Sequence, residues 1–93
     1  MNWKDTTSYS RGQVNIIPSC WTLKTQHVTI DVLNGHIHFP GEWVMHCHSI
    51  GINKKRIGIV GQMTEEQAKE TAIQIVKHVL NMMLTELNEL NPE

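Results

Sequence analysis

Two periodicities divide the chain. Between Cys20 and Val32 apolar and polar positions alternate, Trp21 and Leu23 with Thr22 and Lys24, then Val28, Ile30 and Val32 with Thr29 and Asp31. Side chains two apart on a strand share a face, so this pattern predicts two half-buried strands. Beyond Thr64 the period lengthens. Ala68, Ala72, Ile75, Val76, Val79, Leu80, Met83, Leu87 and Leu90 recur at spacings of three and four, which places them on one side of a continuous helix. Thr64 followed by Gln67 has the form of a capping box, and Glu65 and Glu66 put negative charge in the first turn. The helix is therefore expected over 64–90, ending before Pro92. Ile73 and Leu84 widen its apolar arc to about half the circumference, more than the ~100° stripe that covers one face of a sheet. Either loops and the N-terminal arm cover the excess or a second copy does, which makes Ile73, Leu80 and Leu84 the candidate partner-binding residues.

The turns complete the expected sheet. Asn34-Gly35 suits a two-residue type I′ turn because both residues accept positive φ. That hairpin pairs Val32 with Ile37, Asp31 with His38 and Ile30 with Phe39, so Val28, Ile30, Val32, Ile37 and Phe39 form the core face. Thr29, Asp31, Leu33, His36 and His38 fall on the other. Pro40-Gly41 makes a further turn into a strand over 42–48, which carries Trp43, Val44, Met45 and Cys47. The segment 50–61 reads as a loop with a short strand near 57–60, and 5–13 as a loop or short edge strand held by Trp3 and Tyr9. Sheet first and helix last gives an α+β domain of two layers: an antiparallel sheet of three to four strands packed by one long C-terminal helix. The whole of 1–93 is one domain, with an arm over 1–18, the sheet over 19–60 and the helix over 64–90.

Composition narrows the function classes. Hydrophobic residues at 40% and charged residues at 18% are those of a folded globule, and the formal net charge of −1 gives no general attraction for nucleic acid or anionic membrane. Cys20 and Cys47 are too few for the disulfide framework of a small secreted domain, so reduced thiols are expected. No apolar run is long enough to span a membrane and Met1 to Asp5 has no signal core, which implies a cytoplasmic protein.

Candidate chemistry gathers in the histidines, five of whose six fall between His27 and His48. His36 with His38, and His46 with His48, are His-x-His pairs that present two imidazoles to one side of a strand, and two adjoining pairs would complete a tetrahedral zinc site. If Pro40-Gly41 is a two-residue turn the pairs fall on opposite faces; a bulge or a three-residue loop, by inserting one residue, reverses that parity. Ordinary surface histidines, with Asp31 opposite His38, fit the same residues. Cys47 alternates toward Trp43 and Met45, so it is read as packing rather than as a nucleophile. Lys54, Lys55 and Arg56, helped by Lys24 and Arg11, are the candidate nucleic-acid contacts, with a solvated loop as the plainer reading.

The opening Trp3-Lys4-Asp5-Thr6-Thr7-Ser8-Tyr9-Ser10-Arg11-Gly12, the Trp21-Thr22-Leu23 strand, the Trp43-Val44-Met45-His46-Cys47 strand and the Glu66-Gln67-Ala68-Lys69 helix start together resemble small proteins encoded by bacteriophages and prophages. The resemblance implies an accessory protein, in the cytoplasm of a bacterial host, that binds and blocks or redirects a host protein. It assigns no residue a role. The expectation is a non-enzymatic binding module, a monomer or homodimer, with no cofactor; the alternative is a domain stabilised by zinc or contacting nucleic acid.

Overall fold

A computed structural model describes residues 3–7 and 18–90. Among them, five strands, β1 (Trp3–Asp5), β2 (Cys20–Lys24), β3 (Thr29–Leu33), β4 (Glu42–Cys47) and β5 (Ile52–Ile59), precede one helix, α1 (Glu65–Glu89). The strands form a single antiparallel meander in chain order. The sheet thus has five strands, not three to four. The additions are β1, an edge strand in the expected arm, and β5, which runs through most of the expected loop. Tyr9 and Arg11 lie outside the described residues.

The turns differ from expectation. β2 and β3 join through a tight turn at Gln26 and His27, closed by Thr25, whose backbone N–H donates to Val28 O at 2.8 Å and whose hydroxyl accepts from Val28 N–H at 3.0 Å. Asn34-Gly35 makes no hairpin, and neither residue takes a positive φ. Asn34 N–H instead donates to Ser19 O at 3.0 Å, prolonging the β2–β3 ladder. The chain then crosses an eight-residue loop, 34–41, before β4 pairs with β3, Asp31 facing His46 and Leu33 facing Val44. Ile37, expected in the core, is therefore 85% exposed, and Phe39 is half-buried.

The alternation in β2 and β3 aims Trp21, Leu23, Ile30 and Val32 at the helix, and Trp43, Met45 and Cys47 join them from β4. Val32, Met45 and Cys47 are fully buried; removing a side chain of this size from water contributes about 1.5–3 kcal/mol. Ala68, Ala72, Ile73 and Val76 meet them from α1, the two alanines letting the helix lie close. Its start is fixed as expected: Thr64 Oγ1 accepts from Gln67 N–H at 3.1 Å, and Gln67 Oε1 accepts from Thr64 N–H at 2.9 Å. Trp43 ties that corner to the sheet through its indole N–H, which donates to Met63 O at 3.0 Å. The end of the Met63 side chain packs over Gly58 beside it, where a Cβ would lie 2.8 Å from its sulfur and methyl group and push them aside.

Lys69 is the one buried charged residue among those described. Its ammonium lies 5.7 Å from the Trp3 ring centroid and 5.4 Å from that of Trp21, and it pairs with Glu65 at 2.6 Å. Two indole faces and a carboxylate together offset its desolvation.

The helix outruns the sheet. Twenty-five residues at ~1.5 Å each extend about 37 Å, and the last of them to be fully covered is Val76. Every residue from Leu80 to Leu90 is exposed, and the molecule measures 62 Å along its longest axis against 27 and 24 Å across.

Candidate functional site

Two features stand outside the core. The first is the sheet face turned away from α1. Here Thr6, Thr22 and Asp31 form a hydrogen-bonded row across β2 and its neighbours: Thr6 Oγ1 lies 2.7 Å from Thr22 Oγ1, which donates to Asp31 Oδ1 at 2.6 Å. His46 is the register partner of Asp31 on β4. The 34–41 loop brings His36 to a ring-centroid distance of 6.0 Å from His46, while His48, in the short 3-10 turn after β4, stacks on His46 at 5.5 Å. His38 lies 5.5 Å from His36. All four candidate histidines thus gather on one side, but only His46 sits on a strand: His36 and His38 are brought there by the 34–41 loop and not by the expected hairpin.

Their hydrogen bonds decide which nitrogens are free. His46 Nδ1 accepts from Lys54 N–H at 2.9 Å and His36 Nδ1 from His38 N–H at 3.1 Å. An Nδ1 that accepts leaves the proton of a neutral ring on Nε2, so neither nitrogen offers a lone pair to a metal. Zinc binding requires both rings to give up these donors. Among the described residues, no three His, Cys, Asp or Glu side chains are arranged to hold a metal ion. The Lys54 donor comes from a bulge: two residues, Asn53 and Lys54, stand opposite the single residue His46, and Lys54 adopts a left-handed φ of 54°. Burial first, and the adjacent His48 second, hold His46 below the usual histidine pKa, with Asp31 acting in the opposite sense.

The thiols are quiet. Burial pushes Cys47 up, against weaker backbone hydrogen bonds from Ile50 and Ser49, and burial likewise raises Cys20 against a bond from Thr6. Both therefore stay protonated at neutral pH and make poor nucleophiles. The basic run does not converge. Lys55 pairs with Met45 and lines a groove beside α1, whereas Arg56 pairs with Val44 on the opposite face, 5.2 Å from the Phe39 ring centroid and 3.8 Å from Glu42.

The second feature is the outer half of α1. Leu80 and Met83 are 39% exposed, Leu84 56%, Leu87 64% and Leu90 65%. At 100° per residue, Leu80, Met83, Leu87 and Leu90 lie on the same line as Val76, so the stripe that meets the sheet continues past its end uncovered. Of the three candidate partner-binding residues, Leu80 and Leu84 belong to this surface. Ile73 is buried in the core cluster instead. Where the base of the outer half meets β5, an open groove of about 530 Å³ is lined by Lys55, Ile75, His78 and Val79 among others.

No protein-family model matches the chain, and no curated protein or solved structure matches it either. No described helix is long and apolar enough to cross a membrane.

Proposed function

We propose that this protein is a non-enzymatic binding module that engages a protein partner through the outer half of α1. The observation that carries this reading is the uncovered stripe of Leu80, Met83, Leu84, Leu87 and Leu90. A row of large apolar side chains is costly to leave in water, and an isolated helix of this length is marginal on its own. An amphipathic helix laid against an apolar surface is a recurrent mode of protein recognition. The protonated thiols and the occupied Nδ1 atoms of His36 and His46 support a non-catalytic role. Under the phage accessory reading the partner is a host protein.

A photo-crosslinking residue placed at Leu84 or Leu87 in cells expressing the chain tests the reading, with Thr85 on the opposite side of the helix as control. Adducts with a protein from Leu84 and Leu87 and none from Thr85 are expected. Equal yields at the three positions, or none at all, would sink it.

A further inference from the structure

We infer that the histidine cluster on the outer sheet face is a proton-operated latch: neutral rings hold the 34–41 loop and the β5 bulge against β4, and protonated rings release both while the core stays folded. The device lies on the face turned away from α1 and stands apart from the binding-module reading.

Two backbone N–H groups end on imidazole lone pairs. Lys54 N–H donates to His46 Nδ1 at 2.9 Å and His38 N–H to His36 Nδ1 at 3.1 Å. A ring protonated on Nδ1 turns from acceptor to donor, so each bond becomes a meeting of two N–H groups and is lost. At the bulge that bond also holds Lys54 at a left-handed φ of 54°, a region that residues other than glycine seldom take.

The rings are close enough to feel one another's charge. His46 is central, stacked on His48 at 5.5 Å and 6.0 Å from His36, which lies 5.5 Å from His38. Around them β3 contributes Asp31, and β2 contributes Thr22, bonded to Asp31, and the protonated Cys20. Lys54 and Arg56 come from β5, and Glu42 of β4 is already paired with Arg56 at 3.8 Å. Lys4 and Lys24, beside Thr22 on the farther strands, add positive charge. As the rings take up protons, Asp31 alone is left to offset them, and the cluster repels itself. At neutral pH burial and His48 hold His46 unprotonated, so the latch is closed.

The loop is the part free to yield. Its ends are fastened, Asn34 N–H to Ser19 O and Val60 N–H to Gly41 O, both at 3.0 Å, whereas the described hydrogen bonds between those ends close only within 36–42. Its middle meets the sheet through side chains, His36 on His46 and Phe39 beside Arg56. Among the described residues no histidine belongs to the core cluster, so the packing of Val32, Met45 and Cys47 against α1 is insulated from the event.

Nitrogen-15 NMR on the full chain, with a chelator present to exclude metal, tests the latch between about pH 8 and about pH 5, a range that titrates imidazoles and leaves most carboxylates charged. The Lys54 and His38 amides are expected to shift together with the His46 ring. Backbone order parameters over 35–40 should fall from about 0.85 to below about 0.6, while the Val32 and Met45 amides keep their positions. His46→Asn places an amide oxygen near the Nδ1 position and takes up no proton. It should hold the Lys54 amide fixed across the range and abolish the acid loosening of the loop. A Lys54 amide that ignores the His46 titration overturns the inference. So does a loop that stays ordered at the acid end, or that loosens equally in His46→Asn. Loss of the Val32 and Met45 resonances at the same midpoint overturns it as well, because the event is then global unfolding.

Discussion

The two halves of α1 carry the same stripe and meet opposite surroundings. In the inner half Ala68, Ala72, Ile73 and Val76 are covered by the sheet; in the outer half Leu80, Met83, Leu87 and Leu90, each at least as large as any of them, face solvent. The inner stripe is built largely of small side chains because a sheet lies close against it, and Lys69 is held there between two tryptophan rings and a glutamate. The outer stripe is bulkier and is flanked by Leu84 and Met82. Small side chains suit close approach to a sheet that is already present; long flexible ones suit a surface that arrives later. The comparison separates a part of the helix that makes the fold from a part that the fold holds out.

The sharpest way to break that comparison is a truncation in each half. Ile73→Ala should destabilise the protein by about 2–4 kcal/mol, as a cavity opens between helix and sheet. Leu87→Ala should change the stability of the dilute monomer by no more than about 0.5 kcal/mol. Urea melts at low protein concentration measure both, and equal losses would erase the distinction. Lys69→Ala comes next, with an expected loss of about 1–2 kcal/mol from two cation–π contacts and a partly buried ion pair. Tryptophan fluorescence should shift with it, because Trp3 and Trp21 lose their common neighbour. An unchanged midpoint would mean that the ammonium gains nothing from its cage. Thr64→Ala removes the capping box and should cost about 1 kcal/mol, read from the thermal midpoint.

The smallest expected effect belongs to the histidine face. The pKa of His46 is depressed in the folded protein, so the neutral ring contributes stability above the ordinary histidine range, where the folded and unfolded states are both unprotonated. That contribution is lost as pH falls from there through the folded value, because the unfolded chain takes up the proton first. A protonated Nδ1 also ceases to accept from Lys54 N–H. The thermal midpoint should therefore fall on acidification across this window, and His46→Asn should flatten the dependence. A steeper acid loss in the variant would assign the effect to other groups.

How far the residues announced themselves differs from place to place. The boundaries of α1 were legible from Thr64, Gln67 and the spacing that follows, and the shared side of Trp21 with Leu23, of Ile30 with Val32, and of Trp43, Met45 and Cys47 from simple alternation; which side of β4 meets the helix was not. The absence of a hairpin at Asn34-Gly35 could not be read from its two residues, because Ser19, fifteen positions earlier, takes the Asn34 N–H. The candidate site was legible only in part. His46 and His48 share a side as their spacing suggested, but the approach of His36 depends on the 34–41 loop and the anchoring of His46 on the bulge at Lys54. The outer stripe was visible as an excess of apolar arc; its position along the helix was not.

By itself, then, the chain specified what is settled within a few neighbouring residues: period, cap and the side each strand residue faces. Those depend on covalent geometry and on hydrogen bonds that close over one turn. Which strands pair, where the loop lies and where the sheet stops beneath the helix were left to the folded molecule, since each is a contest between distant backbone donors that only packing decides. The length of α1 was local information, whereas the exposure of its second half was not.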